Sequence, residues 1–300
     1  MLKIAYHPIY THPLPEGHRF PMLKYELLPK QLVHEGTCEP NNFFEPEIPN
    51  DKYIVTVHDP EYFYDLLNIK ISPKEARKIG FPLSENLVER ERIIVDGTMK
   101  GCEYALEYGI AMNIAGGTHH AYTNRGEAFC MLNDQAIGAR YLQAKGLAKK
   151  ILIVDLDVHQ GNGTAEIFQN DASVFTCSMH GASNYPFKKE VSDLDIPLEK
   201  GTDDATYLSI LKETLPKIID NEKPDFIFYL SGVDIVATDK LGTLGMTVQG
   251  CKQRDELVLE TCYRLQIPVQ CSMGGGYSQE INTIVDAHAN TFRVALQLFV

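Results

Sequence analysis

The run Asp155-Leu-Asp157-Val-His159-Gln-Gly161-Asn-Gly163 follows a short apolar segment and places two carboxylates and an imidazole at alternate positions. In an extended chain, residues two apart point to the same side, so Asp155, Asp157 and His159 face one point. Oxygen and imidazole donors converging in this way suit a divalent metal, and the two glycines permit a tight turn behind them. A second apolar run ends in Tyr229-Leu-Ser-Gly-Val-Asp234 and supplies a further carboxylate, which brings the count to three protein ligands. Three ligands leave a coordination position for water, which separates catalytic zinc from four-ligand structural zinc. The chemistry implied is hydrolysis. Taken singly, each segment also fits an ordinary polar strand end, Asx-type turn or N-cap aspartate.

Two more segments carry the remaining parts of a hydrolase. Gly116-Gly-Thr-His119-His120 sets adjacent histidines in a loop opened by glycines, where both rings can face one site. Histidine near neutral pH can take a proton from attacking water and return one to a departing amine. Each ring then needs an orienting partner on its other nitrogen, and Asp155 and Asn162 are the candidates. Ser272-Met-Gly274-Gly-Gly276-Tyr277 follows another apolar run. Three glycines in succession point to close backbone approach, and the Tyr277 phenol can donate to a developing oxyanion.

These residues need elements that hold them at one edge. Short, near-continuous apolar runs at 150–155, 173–177, 225–230 and 267–271 read as strands covered on both faces. Amphipathic stretches at 134–145, 204–220 and 249–264 read as helices, the first with Asn133 or Asp134 as N-cap and Gly146 as its stop. The alternation predicts a three-layer α/β/α fold with a mainly parallel sheet. In such sheets the ligand crevice lies beyond the carboxyl ends of the strands, where the motifs fall. The segment from Pro13 to Pro60, rich in Pro, Glu, Asn and His, shows no clean period and is expected to form long surface loops. No repeat or linker-like break divides the chain, so residues 1–300 are expected to form one domain.

With 44% hydrophobic and 23% charged residues, the composition is that of a globular chain. A net charge of −12 excludes nucleic-acid binding through phosphate neutralisation and tolerates a cationic substrate. Seven widely spaced cysteines, mostly in apolar sequence, read as reduced and buried. Met1–Tyr6 is too short for a signal-peptide core and reads as an opening strand, and no run approaches the roughly 18 apolar residues of a membrane span. A cytoplasmic protein is the expectation.

The ordered set Gly117-Thr-His-His120, Phe129-Cys130, Asn133-Asp134, Asp155-Leu-Asp-Val-His159, Ser178-Met-His180, Asp234 and Gly275-Gly-Tyr277 resembles the histone deacetylase family, which includes acetylpolyamine deacetylases and acetoin-utilisation proteins. The resemblance implies an arginase/deacetylase-like sheet of about eight strands and zinc, or alternatively Fe2+, on Asp157, His159 and Asp234. It implies that His120 is the general base and acid, that His119 paired with Asp155 is its electrostatic partner, and that Tyr277 polarises the acyl carbonyl. It further implies an aromatic tunnel for an extended acyl-lysine chain, with Phe129 as one wall, Tyr185 as the other, and Ala128 and Gly275 beside the substrate. Structural K+ is implied at Asp155, Asp157, His159, Ser178 and Met179, with a second monovalent site at Phe168, Asp171, Val174 and Tyr207. Gly17-His-Arg-Phe-Pro-Met-Leu-Lys24 and Asp239-Lys-Leu-Gly242 look most like the class IV branch.

Two positions depart from the family pattern. Asn162 stands where class I enzymes carry Asp, which implies weaker charge support for His120 and a lower pKa. Ala128 stands where glycine is common, and alanine there is expected to require a negative φ. The related binuclear-manganese amidinohydrolases need a further Asp two residues after the Asp234 position, where this chain has Val236. A non-catalytic acyl-ligand binding protein is the alternative of another class, although no ligand, histidine or tyrosine of the set is missing. The implied substrate is an acylated amine: acyl-lysine on protein, an acylpolyamine or a small acylated amine. His18 and Arg19 read as exposed surface residues, with a place at the tunnel rim as the alternative.

Overall fold

The computed structural model describes residues 1–300. In chain order the elements are β1 (Lys3–Ala5), α1 (Lys24–His34), β2 (Phe43–Phe44), α2 (Asp51–Ile54), α3 (Pro60–Leu67), α4 (Pro73–Ile79), α5 (Glu85–Tyr108), β3 (Ile110–Asn113) and α6 (Asp134–Ala144). They continue with β4 (Ile151–Asp155), α7 (Asn162–Phe168), β5 (Val174–Gly181), β6 (Leu194–Leu198), α8 (Asp204–Glu222), β7 (Phe226–Leu230), α9 (Val248–Leu265), β8 (Val269–Ser272) and α10 (Ile281–Phe299). The eight strands form one sheet in the order β2-β1-β3-β8-β7-β4-β5-β6, with every neighbouring pair parallel.

The central strands β3, β4, β7 and β8 are buried at every residue, which explains their unbroken apolar sequence. On one face α5 packs against α6 and crosses β1, β3 and β8; on the other, α8, α9, α10 and α1 pack in succession. The three-layer expectation therefore holds. Helix ends follow local chemistry. Asn133 caps α6 by accepting from Ala136 N, Asp203 caps α8 through Thr206 N, and Thr247 caps α9 through Gly250 N.

The segment 13–60 corrects the loop expectation, because it contains α1, β2 and α2. Pro29 lies inside α1, and the Tyr25, Leu28 and Leu32 face is buried in the core, so packing overrides a local helix-breaking signal. All seven cysteines are free and buried. No helix is long and apolar enough to cross a membrane.

Candidate metal centre and active site

Four adjacent central strands, β3, β8, β7 and β4, run in the same direction, so the segments leaving their carboxyl ends meet. β3 leads to His119 and His120, β4 to Asp157 and His159, β7 to Asp234, and β8 to Tyr277. Residues far apart in sequence thereby share one crevice.

The donor atoms of Asp157, His159 and Asp234 all lie within 4.8 Å of one another, and all three residues are buried. His159 Nδ1 is 3.0 Å from Asp157 Oδ1 and 3.2 Å from Asp234 Oδ2. Asp157 accepts from His159 N at 2.9 Å and from Gly275 N at 2.8 Å, and Asp234 Oδ1 accepts from Val158 N at 3.0 Å. Asp234 Oδ2 is buried and makes no hydrogen bond. A Cβ built on Gly275 would lie 1.9 Å from that oxygen and 2.7 Å from Asp157 Oδ2, so glycine keeps the space between the carboxylates open.

Burial and the Asp157 charge hold the Asp234 carboxyl above its usual range. Burial also opposes charge on the His159 ring, yet the two carboxylates outweigh it and raise its pKa to about 10. A buried pair of carboxyl groups with an orphaned oxygen and a glycine-walled space fits a divalent cation, which would take the place of the protons. Val236, where a second bridging carboxylate would stand, is buried apolar core.

The histidines find the partners they need. His119 Nδ1 meets Asp155 Oδ2 at 2.6 Å, and His120 Nδ1 meets Asn162 Oδ1 at 2.6 Å. Asn162 Nδ2 donates to Tyr122 OH at 2.8 Å, which fixes the amide with its oxygen toward His120. Burial disfavours charge on both rings. For His119 the Asp155 carboxylate outweighs that penalty and raises its pKa; for His120 the charges of His119 and His159 add to burial and lower it. His120 therefore stays neutral with Nε2 free of a protein partner.

Several further residues position the site, in roles the sequence alone does not assign to them. Asp239 Oδ2 accepts from Tyr277 N at 2.6 Å, while its Oδ1 accepts from Leu241 N and Gly242 N at 2.8 Å. Asp134 accepts from Thr118 N, Thr98 Oγ1 and Ser272 Oγ, tying the histidine loop to β8. Arg254, fully buried, donates to the carbonyls of Leu156, Ser231 and Gly232 behind the Asp157, His159 and Asp234 cluster and pairs with Asp255 at 2.8 Å. Lys24 is buried, donates to Gly274 O at 3.1 Å and stands over the Tyr277 ring at 5.7 Å.

A cleft of about 450 Å3 opens from His120, His159 and Tyr277 to the surface, with Phe129 and Tyr185 among its walls. The Phe129 ring packs against Phe20 and Phe81 at centroid distances of 5.1 and 5.0 Å. Tyr185 stands edge-on to His120 at 5.0 Å and donates to Glu127 at 2.6 Å. Both aromatic expectations are thus placed at the cleft.

Ala128 overturns the expectation of a negative φ, since its φ is +44° and that of Phe129 is +69°. The pair is held there by Ala128 N donating to Lys78 O at 2.9 Å and Phe129 N to Ile79 O at 2.6 Å, which ties the left-handed turn to the end of α4. Arg19 is exposed, as expected, and also takes the rim position, because its guanidinium stacks 5.0 Å from the Phe129 ring and lines the cleft. His18 is partly buried, with Nε2 2.9 Å from Gly80 O and its ring stacked on Phe81.

The residues expected to hold monovalent cations fall in two places. Ser178 and Met179 lie on β5, with Ser178 in register with Asp155. Phe168 O accepts from Asp171 N and Asp171 O from Val174 N, while the buried Tyr207 OH has no partner.

Compared with known proteins, the chain matches the histone deacetylase domain over residues 18–292. It is 46% identical to an uncharacterized protein of Picosynechococcus sp. over 99% of both chains. It is 28% identical to histone deacetylase 2 of Arabidopsis thaliana, over 93% of this chain and 75% of that one. Its identity with the acetoin utilization protein AcuC of Staphylococcus aureus is 31%, over 78% of this chain and 65% of that one. The crystal structure of the HDA15 HD domain superposes with a TM-score of 0.81 at 20% identity, over 98% of this chain and 90% of that chain.

Proposed function

The chain belongs to the histone deacetylase family of hydrolases, and from that premise we propose that it is a zinc-dependent amide hydrolase acting on acylated amines. The observation that carries this reading is the convergence of Asp157, His159 and Asp234 around an orphaned carboxylate oxygen, with His120 and Tyr277 at the same cleft. Zn2+ or Fe2+ held by those three residues supplies Lewis acidity toward the acyl oxygen and the attacking water.

The chain's own residues account for proton handling. His120 directs its Nδ1 proton to Asn162, so Nε2 takes the proton of the attacking water. His119, supported by Asp155, is the electrostatic partner of His120 beside the reacting centre. As the carbonyl becomes tetrahedral, Tyr277 donates its phenolic proton in a hydrogen bond to the oxyanion. His120 then gives its Nε2 proton to the departing nitrogen, and the C–N bond breaks to yield carboxylate and amine. Phe129 and Tyr185 guide the acyl chain, with Ala128 and Gly275 providing backbone beside it.

Further assignments rest on the same resemblance. Asp155, Asp157, His159, Ser178 and Met179 hold structural K+, and Phe168, Asp171, Val174 and Tyr207 form a second monovalent site. The Gly17–Lys24 and Asp239–Gly242 segments support a place in the class IV branch. Reduced, buried cysteines support a cytoplasmic setting.

The test is hydrolysis of acetyl-lysine, longer fatty-acyl-lysine and acetylpolyamine substrates by protein reconstituted with zinc or iron. Turnover should be lost with a chelator and restored by the metal. Tight binding of these compounds without turnover would instead support a binding protein.

A further inference from the structure

We propose that the mouth of the cleft selects acylated amines whose carrier is anionic where it emerges from the cleft, with Arg19 and Lys78 receiving that charge. The inference rests on the amide-hydrolase reading above and specifies its substrate class.

The chain carries 40 acidic against 28 basic side chains, yet no aspartate or glutamate lines the cleft. Its acids are confined to the metal-binding floor, at Asp157 and Asp234. At the mouth the charged residues are Arg19 and Lys78, both exposed. Neither makes an ion pair with any residue of the protein.

Arg19 is anchored to the wall that guides the substrate by its side chain, and Lys78 by its backbone. The Arg19 guanidinium stacks on the Phe129 ring, and the Lys78 carbonyl accepts from Ala128 N. Nearby acids are otherwise engaged: Glu127 meets Arg125 Nε at 3.0 Å and Tyr185 OH at 2.6 Å, and Glu75 closes the capping box of α4 with Ser72. Glu16 is exposed three residues before Arg19 and does not line the cleft.

An acyl chain threaded past Phe129 leaves the rest of its carrier at these two cations. A carboxylate there gains attraction, whereas the ammonium groups of an acylpolyamine or a lysine-rich segment meet like charge. Because the cations are solvated and screened, each exposed pair is worth a few-fold, or roughly tenfold for the two together.

The experiment compares kcat/KM for matched acetyl-lysine peptides flanked by Glu, by Gln or by Lys. It adds free acetyl-lysine against its carboxamide, and acetylspermidine. The expected order is Glu above Gln above Lys, spanning roughly tenfold at low salt and narrowing as salt rises. Free acetyl-lysine should exceed its carboxamide, and acetylspermidine should fall last.

The double variant R19E/K78E should reverse the peptide order. Equal rates for all three peptides, or an unchanged order in the double variant, overturn the proposal. So does a uniform fall across the three, which would mean that Arg19 acts only by supporting Phe129. If nothing is hydrolysed, the amide-hydrolase reading fails instead. Peptide affinities measured by fluorescence anisotropy then decide the charge preference by themselves, and affinities independent of charge overturn it.

Discussion

His120 Nδ1 ends on the neutral amide oxygen of Asn162, 2.6 Å away, while the neighbouring His119 ends on the Asp155 carboxylate at the same distance. The two rings are therefore shifted in opposite directions, His119 upward by its carboxylate partner and His120 downward. Burial and the cationic neighbours lower the His120 pKa, and nothing anionic at position 162 opposes them. Asn162→Asp would add that opposition and raise the pKa of the base. The acid limb of the kcat/KM profile should move to higher pH, because the base must lose its proton before it can act. An unmoved limb would remove His120 from that role.

Tyr277 is held from its backbone by Asp239 and has its ring beside Phe20, Phe129 and Lys24. Tyr277→Phe preserves that packing and deletes only the hydroxyl. If the phenol stabilises the oxyanion, kcat should fall by roughly two to three orders of magnitude with little change in KM. Bound metal, read by elemental analysis, should stay constant. Full turnover in the variant would place the oxyanion donor elsewhere.

The sheet was legible because its central strands are buried on both faces and so read as apolar runs, from Ile151–Asp155 to Val269–Ser272. The three acidic and imidazole candidates were legible because they follow two of those strands within a few residues, and the histidine pair because glycines open its loop. The positioning roles of Asp134, Asp239 and Arg254 were not, since they depend on partners up to 138 positions away, as Asp134 and Ser272 are. Arg254 in particular looks like any helical surface arginine until α9 turns it under the β4 and β7 loops. The first helix was hidden by Pro29 and by a face whose partners lie on α10, far along the chain.

Ala128 shows the same limit at the backbone level. Its φ of +44° is imposed by hydrogen bonds from Ala128 and Phe129 to the end of α4, which no local propensity encodes. The left-handed region costs an L-residue roughly 1–2 kcal/mol, and the extra unfolded-state freedom of glycine offsets roughly 0.4–1 kcal/mol of any relief. Ala128→Gly should therefore stabilise the protein by about 0.5–1 kcal/mol in urea unfolding. A destabilised variant would mean that the methyl group packs productively at the cleft wall.

His58 links the stability of the fold to pH away from the Asp157, His159 and Asp234 cluster. It lies between α2 and α3, with Nδ1 2.9 Å from Tyr122 O and Nε2 accepting from Asn133 N at 2.9 Å. The ring thus bridges the segment after the histidine pair to the N-cap of α6, and this arrangement requires it neutral. Burial lowers its pKa from 6.5 to about 4, against a smaller opposing effect of the carbonyl contacts. Below pH 6.5 the unfolded chain takes up the proton first, so stability is full above that value and falls as pH drops toward 4. The loss from this one ring amounts to about 3 kcal/mol, since each tenfold difference in proton affinity between the folded and unfolded chain is worth roughly 1.4 kcal/mol. His58→Gln should be less stable at about pH 7.5 yet lose less stability than the parent as pH falls to about 4, as read from urea midpoints across the range. His180, also lowered to about 4, contributes in the same direction in both proteins, so the difference between their slopes isolates His58. Parallel slopes would show that the His58 ring accepts its proton without breaking the bridge.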